Sequence, residues 1–312
     1  KAQKTAPFRE KFCGDGGRLR RIRLENRLCF RTFRIRKSVN FIAVQYCTFS
    51  LCSVYWVCRQ EVENTMYNEY DNENFFEQYA QMPRSKDGLA SAGEWHQLEP
   101  LFPPLRDKKV LDLGCGYGWH CMYAAEQGAS EILGIDLSEK MIAEAKRRNA
   151  DKRIKYRVCG IEEYEYPEST WDCAVSNLAL HYIENIEQVF QKVHKTLKPG
   201  GTFLFNIEHP VFTSGVNQDW IYGEDGCPKY WPVDDYFIPG ERKTRFLGCD
   251  VKKQHHTLTQ ILMGLLNNGF MLEVGEEARP SEEMLEIPGM KDELRRPMML
   301  LVKARVRAQT CS

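Results

Sequence analysis

In the stretch VLDLGCGYGWH, Gly114, Gly116 and Gly118 let the backbone turn sharply and approach a ligand with no Cβ in the way. Asp112 stands two residues before the first glycine, and no lysine follows the last. A triphosphate cradle needs Gly-Lys-Ser/Thr, and the G-x-G-x-G spacing departs from the G-x-G-x-x-G of dinucleotide turns. A carboxylate beside the turn repels a pyrophosphate but favours a cation or an amine through charge-assisted hydrogen bonds. Asp136 closes the next apolar run, twenty residues after Gly116, where it can accept from both hydroxyls of a ribose. The two acids together fit a positively charged nucleoside.

Acid–base chemistry has three histidine candidates, His181 in LALHY, His209 in IEHP, and His255 of the pair His255–His256. His181 and His209 follow apolar runs, and the proline after His209 restricts its backbone. Each can equally be a structural hydrogen-bonder; His255 and His256 read as polar residues at a helix start. His120 lies inside a helix, where a structural role fits it better. Tyr182, Trp220, Trp231, Tyr236 and Arg242 can shape a pocket or form a private core. No ligand spacing suits a metal, so none is expected.

These residues need elements to position them, and apolar runs of strand length alternate with helical stretches from Lys108 to Val306. KKVLDLG, EILGID, IKYRVC, TWDCAVSN and GTFLFNIEH read as five strands, with GFMLEVGEE and PMMLLVKARV as two more. Helices are expected over Tyr117–Gln127, after the cap Ser138, from Glu184 to Leu197, where KPGG stops it, and from His255 to Asn268. This predicts a doubly wound, Rossmann-like α/β fold, with seven strands in a mostly parallel sheet and helices on both faces. Its ligands belong at the carboxyl ends of the strands, near the point where strand order reverses. Residues 66–107 form a helical cap, and residues 209–250 a long aromatic insertion after the fifth strand, too long for a plain connector.

The 43 basic and 43 acidic residues of the 312 balance only in total. Residues 1–65 carry 14 Lys/Arg against 5 Asp/Glu, which leaves 29 against 38 for the rest. An acidic body argues against nucleic acid, whose phosphates are held by Lys and Arg. The basic leader breaks with the pattern of the remainder, and three readings of it stay open: a non-native upstream translation, a disordered extension, or a weak membrane anchor over Ser38–Cys58. Function is sought from Met66 on, and residues 307–312 form a tail. Twelve cysteines without a C-x-x-C pair suit a reducing cytoplasm.

LDLGCGYG, GIDLSEKM, GIEEY before WDCAVSNLALHY, and LKPGG ahead of a strand together resemble the class I S-adenosylmethionine-dependent methyltransferases of the type-11/type-12 small-molecule kind. FFEQYAQMPRS, AGEW, LALHY and IEHP extend the resemblance, which spans about Met66 to Val306. It implies S-adenosyl-L-methionine as donor, its methionine part lined by Gly114, Cys115 and Gly116, with Asp112 holding the loop or the amino group. By the same resemblance Asp136 binds the ribose and Leu137 and Met141 flank the adenine. Gly160 stands where the family often has an Asp for the adenine amine, so Ile161 or Glu162 serves instead. Asn177 and Leu178 lie beside the sulfonium, and Tyr79 and Arg84 cap the donor, Arg84 pairing with its carboxylate.

The expected reaction is in-line methyl transfer to a small-molecule acceptor at O or N, by a cytoplasmic monomer or homodimer with no membrane partner. A quinone-type C-methyltransferase and a non-catalytic S-adenosylmethionine-binding domain are the alternatives. A nicotinamide oxidoreductase is disfavoured by Asp112 and the glycine spacing.

Overall fold

The computed structural model describes residues 68–215 and 217–308; the basic leader, Met66 and the last four residues lie outside the described residues. The cap comes first, with helices α1 (Glu73–Ala80), α2 (Pro83–Asp87) and α3 (Trp95–Leu98) joined by short 3-10 turns. The sheet then begins: β1 (Lys109–Leu113), α4 (Trp119–Glu126), β2 (Glu131–Asp136), α5 (Glu139–Arg148), β3 (Ile154–Val158), β4 (Trp171–Asn177), α6 (Ile186–Thr196) and β5 (Leu197–Glu208). The insertion follows as α7 (Pro210–Thr213), β6 (Ile221–Tyr222), β7 (Pro228–Tyr230), β8 (Gly240–Phe246) and β9 (Cys249–His255). The fold closes with α8 (Leu258–Asn267), β10 (Phe270–Glu277) and β11 (Met299–Val306).

Seven strands form one sheet in the order β10-β11-β5-β4-β1-β2-β3, parallel except for β11, which runs antiparallel to both its neighbours. Strand order reverses between β4 and β1, which places the binding crevice above the glycine turn that leaves β1. On one face α6 and α8 bury Phe190, Ile261 and Leu265 against Phe203 and Phe205 of β5; on the other α4 and α5 bury Ala124 and Ile142 against Val110 and Ile132. Helix starts carry the caps their sequences offer, with Ser138 accepting from the N–H of Met141 and Thr257 and Gln260 closing a capping box on α8.

Two expected boundaries move. KPGG does not form a loop separate from the fifth strand; α6 ends at Thr196 and β5 begins at Leu197, the register jumping between Trp171 opposite Leu197 and Cys173 opposite Thr202. His255 does not start a helix. It ends β9, whose hairpin with β8 carries the insertion past residue 250, and α8 starts only after the Thr257 cap. More and less buried positions alternate along both strands of the hairpin, with Thr244 on β8 and Val251, Lys253 and His255 on β9 turned inward, the two-residue period of a ribbon and not of a helix. Among the described residues no helix is long and apolar enough to cross a membrane.

Candidate active site

The three glycines of the β1–α4 turn all have positive φ, 75°, 52° and 77°, yet they answer to different constraints. A Cβ on Gly114 would strike the Ala179 methyl and one on Gly118 the Tyr156 ring, so these two serve close packing. A Cβ on Gly116 would meet nothing within 4 Å. The space over Gly116 is open.

Two carboxylates border the turn. Asp112 is 1% exposed; its Oδ2 accepts from the Cys121 thiol at 3.2 Å, while Oδ1 has no partner. Burial pushes its carboxyl up to about 7. Asp136 is half-buried and accepts from the N–H of Gly116 and of Ser138, both at 2.9 Å, and burial raises it to about 6 despite those bonds. The Cys115 side chain turns away from the open space and packs in the core under the loop with Cys121, its thiol pushed up to about 11 by burial. Its N–H donates to the Ile135 carbonyl.

The cap closes over the turn from the other side. Ser138 donates to Asp71 at 2.6 Å, which pins the cap to the start of α5. Tyr79 packs edge-on to Tyr70 and Tyr117, at 5.4 and 5.7 Å between centroids, and burial raises its phenol while the charge of Arg84 opposes the rise. Arg84 does not stand free for a ligand carboxylate: its Nη2 binds both oxygens of Glu94, at 2.7 and 2.5 Å. Glu94, 1% exposed, also accepts at 3.3 Å from Asn177, at the end of β4, and from Asn206 on β5. This buried acid ties the cap to two strand ends. Nothing local to AGEW announces that role, because the partners of Glu94 lie 10, 83 and 112 residues away.

After Asn177 the chain strains. Leu178 adopts φ 53°, which costs an L-residue roughly 1–3 kcal/mol, and its N–H donates to the Asn206 carbonyl at 2.8 Å. On the opposite wall, Met141 is buried in the first turn of α5. The Leu137 side chain comes within 3.6 Å of the position a Cβ on Gly160 would take. The carbonyls of Ile161 and Glu162 accept from Tyr166 and Lys192, at 2.8 and 2.7 Å. Glu163, not Glu162, reaches back to the N–H of Gly160, at 3.3 Å.

The three histidines separate clearly. His255 is fully buried, Nδ1 taking the Thr213 hydroxyl at 2.7 Å and Nε2 donating to the Tyr236 carbonyl at 2.9 Å, so no ring nitrogen is left for a substrate. His209 caps α7, its Nδ1 accepting from the N–H of Val211 at 3.1 Å, while its Nε2 makes no hydrogen bond and lies 3.3 Å from Glu277 of β10. His255 thus holds the insertion together, and His209 starts its first helix. His181 stands in the 3-10 turn just after Leu178, 3% exposed, with Nδ1 unpartnered and the imidazole pushed down to about 4, chiefly by burial.

Residues 111–205, from β1 to β5, match the family model of a methyltransferase domain. A protein of Haemophilus influenzae is 31% identical over 249 residues, covering 78% of this chain and 98% of the relative. A crystal structure from Listeria monocytogenes, assigned as an S-adenosylmethionine-dependent methyltransferase, superposes with a TM-score of 0.68 at 47% identity over 70% of this chain and 99% of its own. The S-adenosylmethionine-dependent methyltransferase of Mesorhizobium loti gives 0.65 at 41% identity, over 70% and 100% of the two chains. This chain belongs to the class I S-adenosylmethionine-dependent methyltransferases.

The residues of the methyltransferase fit that donor. The unpartnered Asp112 Oδ1 and the space a Cβ on Gly116 would fill are what an ammonium and a close-lying ligand require. Among the described residues no group of three His, Cys, Asp or Glu could hold a metal ion.

Proposed function

We propose that the methyltransferase transfers a methyl group to the oxygen or nitrogen of a small-molecule acceptor, with the donor over Gly116 and the acceptor between His181 and the insertion. The carrying observation is the open space over Gly116, whose N–H donates to Asp136 at 2.9 Å, with the unpartnered oxygen of Asp112 at the end of the strand that leads into the turn. When bound, S-adenosylmethionine supplies an electrophilic methyl group on a sulfonium. Asp112 takes the donor's ammonium through Oδ1. Asp136 takes the ribose hydroxyls on lone pairs its two N–H bonds leave over, since a carboxylate offers about four. Leu137, Met141 and Ile161 flank the adenine, with Glu163 in the place expected of Glu162. The backbones of Gly114 and Cys115 shape the turn, and Asn177 and Leu178 border the methyl.

Tyr79 covers the donor. Arg84, neutralised by Glu94, latches the cap instead of binding the donor carboxylate. The cap, from its first 3-10 turn (Glu69–Asp71) to residue 107, and the insertion, from α7 through β9, then divide the work, one closing the donor side and the other the acceptor side. In-line displacement needs alignment above all, worth up to roughly 7–11 kcal/mol where geometry is good. A base is required only for an acceptor that must lose a proton, and His181 has the unpartnered nitrogen for it. Phosphoethanolamine N-methyltransferase 3 of Arabidopsis thaliana, 34% identical over 122 residues and 24% of its own length, supports a small acceptor with a proton on nitrogen.

Calorimetry of the full chain with S-adenosylmethionine and S-adenosylhomocysteine tests the donor half, and absence of binding refutes it. Release of S-adenosylhomocysteine with a panel of small amines and hydroxy compounds, phosphoethanolamine among them, tests the acceptor half.

A further inference from the structure

We propose that Glu208 and Lys253 are positioning residues for His181: Glu208 orients the imidazole so that its Nδ1 takes the acceptor's proton, and Lys253, delivered by the insertion, holds Glu208 in place. The inference rests on the methyl-transfer reading above and assigns the insertion a part in it.

Three elements meet at this point. Glu208 ends β5, Lys253 lies on β9 and His181 follows β4, and all three side chains are buried, at 8%, 4% and 3% exposure. The Lys253 ammonium donates to Glu208 Oε1 at 2.5 Å and to Gln218 Oε1 at 3.4 Å. Gln218 in turn donates to Glu208 Oε2 at 3.4 Å, so both carboxylate oxygens are held. The ammonium also sits over the rings of Phe246 and Phe212, at 5.3 and 6.0 Å from their centroids. Glu208 Oε1 faces His181 Nε2 at 3.9 Å. That separation exceeds a hydrogen bond but lets the carboxylate favour the tautomer with its proton on Nε2. Nδ1 is then the lone-pair nitrogen, and it is the one buried without a partner.

A buried ion pair is weak evidence for stability, since desolvation offsets its attraction, and a buried imidazole nitrogen with no partner adds a further cost. The cluster has a better account in function. His181 leans on Tyr182, whose hydroxyl lies 3.0 Å from that of Tyr70, and Tyr70 packs against Tyr79. This wall of rings runs without a break from the cap beside Asp136 to the ion pair. Ring contacts thus link His181 to the cap, and Glu208 and Lys253 link it to the insertion.

In the step so defined, a lone pair on the acceptor's nitrogen or oxygen forms the bond to the methyl carbon while the sulfur–carbon bond breaks and its electron pair stays on sulfur. The acceptor's proton passes to His181 Nδ1, and the imidazolium so formed draws on the Glu208 carboxylate until it loses the proton to solvent. Apo contacts of this kind tighten when charge develops. The groups that face His181 and set its titration are Glu208 from β5, Lys253 from β9, His256 beyond β9, and neighbouring Tyr182.

The test is nitrogen NMR of the full chain labelled with [15N]histidine, the His181 signals assigned by their loss in His181→Asn. His181 should carry its proton on Nε2, and Glu208→Gln should convert it to a mixture of tautomers. Lys253→Met, which removes a cation that lowers the imidazole pKa, should move the titration of His181 to higher pH. If Lys253→Met does not fold, Lys253→Arg should keep both the tautomer and the titration of the parent. A proton on Nδ1 in the parent, or a tautomer indifferent to Glu208→Gln, overturns the proposal. Calorimetry with S-adenosylhomocysteine on the same samples separates the two readings: no binding by the parent overturns the donor site, whatever the tautomer.

Discussion

Replacing Asp112 by Asn should change stability in opposite directions at high and low pH. In the folded protein burial raises this carboxyl from 3.8 to about 7, with the charge of Asp136 adding to the rise. A folded-state pKa above the unfolded one means that the stability the group contributes is fully present below about pH 4 and is lost as pH rises through about 7. A shift of about 3 units amounts to about 4 kcal/mol of destabilisation at pH 8, at 1.36 kcal/mol per unit. The amide of the variant would carry no charge, but it would stand in the place of Oδ1, where no acceptor waits, at a cost of about 1–3 kcal/mol. The net expectation is a protein about 1–3 kcal/mol more stable than the parent at pH 8 and less stable by a similar margin at pH 4. In a domain of this size that moves Tm by roughly 2–4 °C per kcal/mol. Thermal unfolding without ligand from pH 4 to 9 measures the crossing. S-adenosylhomocysteine binding to the same variant should weaken by about 10–150-fold, because a charge-assisted bond of about 1.5–3 kcal/mol is lost. A variant less stable than the parent by one margin at every pH would refute the reasoning.

Gly116→Ala, whose Cβ meets open space but whose φ of 52° strains an L-residue by about 1–3 kcal/mol, should fold with a lower Tm and lose S-adenosylhomocysteine binding in calorimetry; Gly118→Ala, at φ 77° and driving a methyl into Tyr156 as well, should lose more thermal stability. Glu94→Gln keeps the shape but removes the charge that holds Arg84, and should cost about 1.5–3 kcal/mol in denaturant unfolding together with weaker donor binding, as Asn177 and the cap loosen. His255→Ala breaks bonds to Thr213 and Tyr236 and should lower Tm while leaving the donor Kd unchanged, whereas His181→Asn should spare Tm and abolish turnover of a proton-bearing acceptor. With His181 pushed down to about 4, the imidazole is already neutral at pH 6, so the acid limb of kcat/KM should fall below about pH 5 and not near the ordinary histidine value.

The donor side is legible in the chain because its constraints are local. A glycine turn with an acid two residues before it and another twenty residues on is set by backbone geometry and strand periodicity, and both acids border the turn as expected. The acceptor side is not legible in this way. His181 and His209 both follow apolar runs and His255 reads as the start of a helix, and only packing separates them, His209 capping α7 and His255 making two hydrogen bonds. Arg84 has the chemistry of a ligand for the donor, and no local pattern reveals that Glu94 turns back to neutralise it.

By itself, then, the sequence determined the βα alternation, the seven strands of the main sheet, the glycine turn and a site suited to a positively charged nucleoside, all properties that short-range periodicity and turn chemistry dictate, while the donor's identity came from the resemblance its motifs carry. The tertiary structure decided which ionisable groups meet. Glu208 and Lys253 are 45 residues apart, and Glu94 and Asn206 are 112 apart. Their pairing follows from strand order and from where the insertion folds back, because a charge taken out of water must find its partner in space, however far along the chain that partner lies.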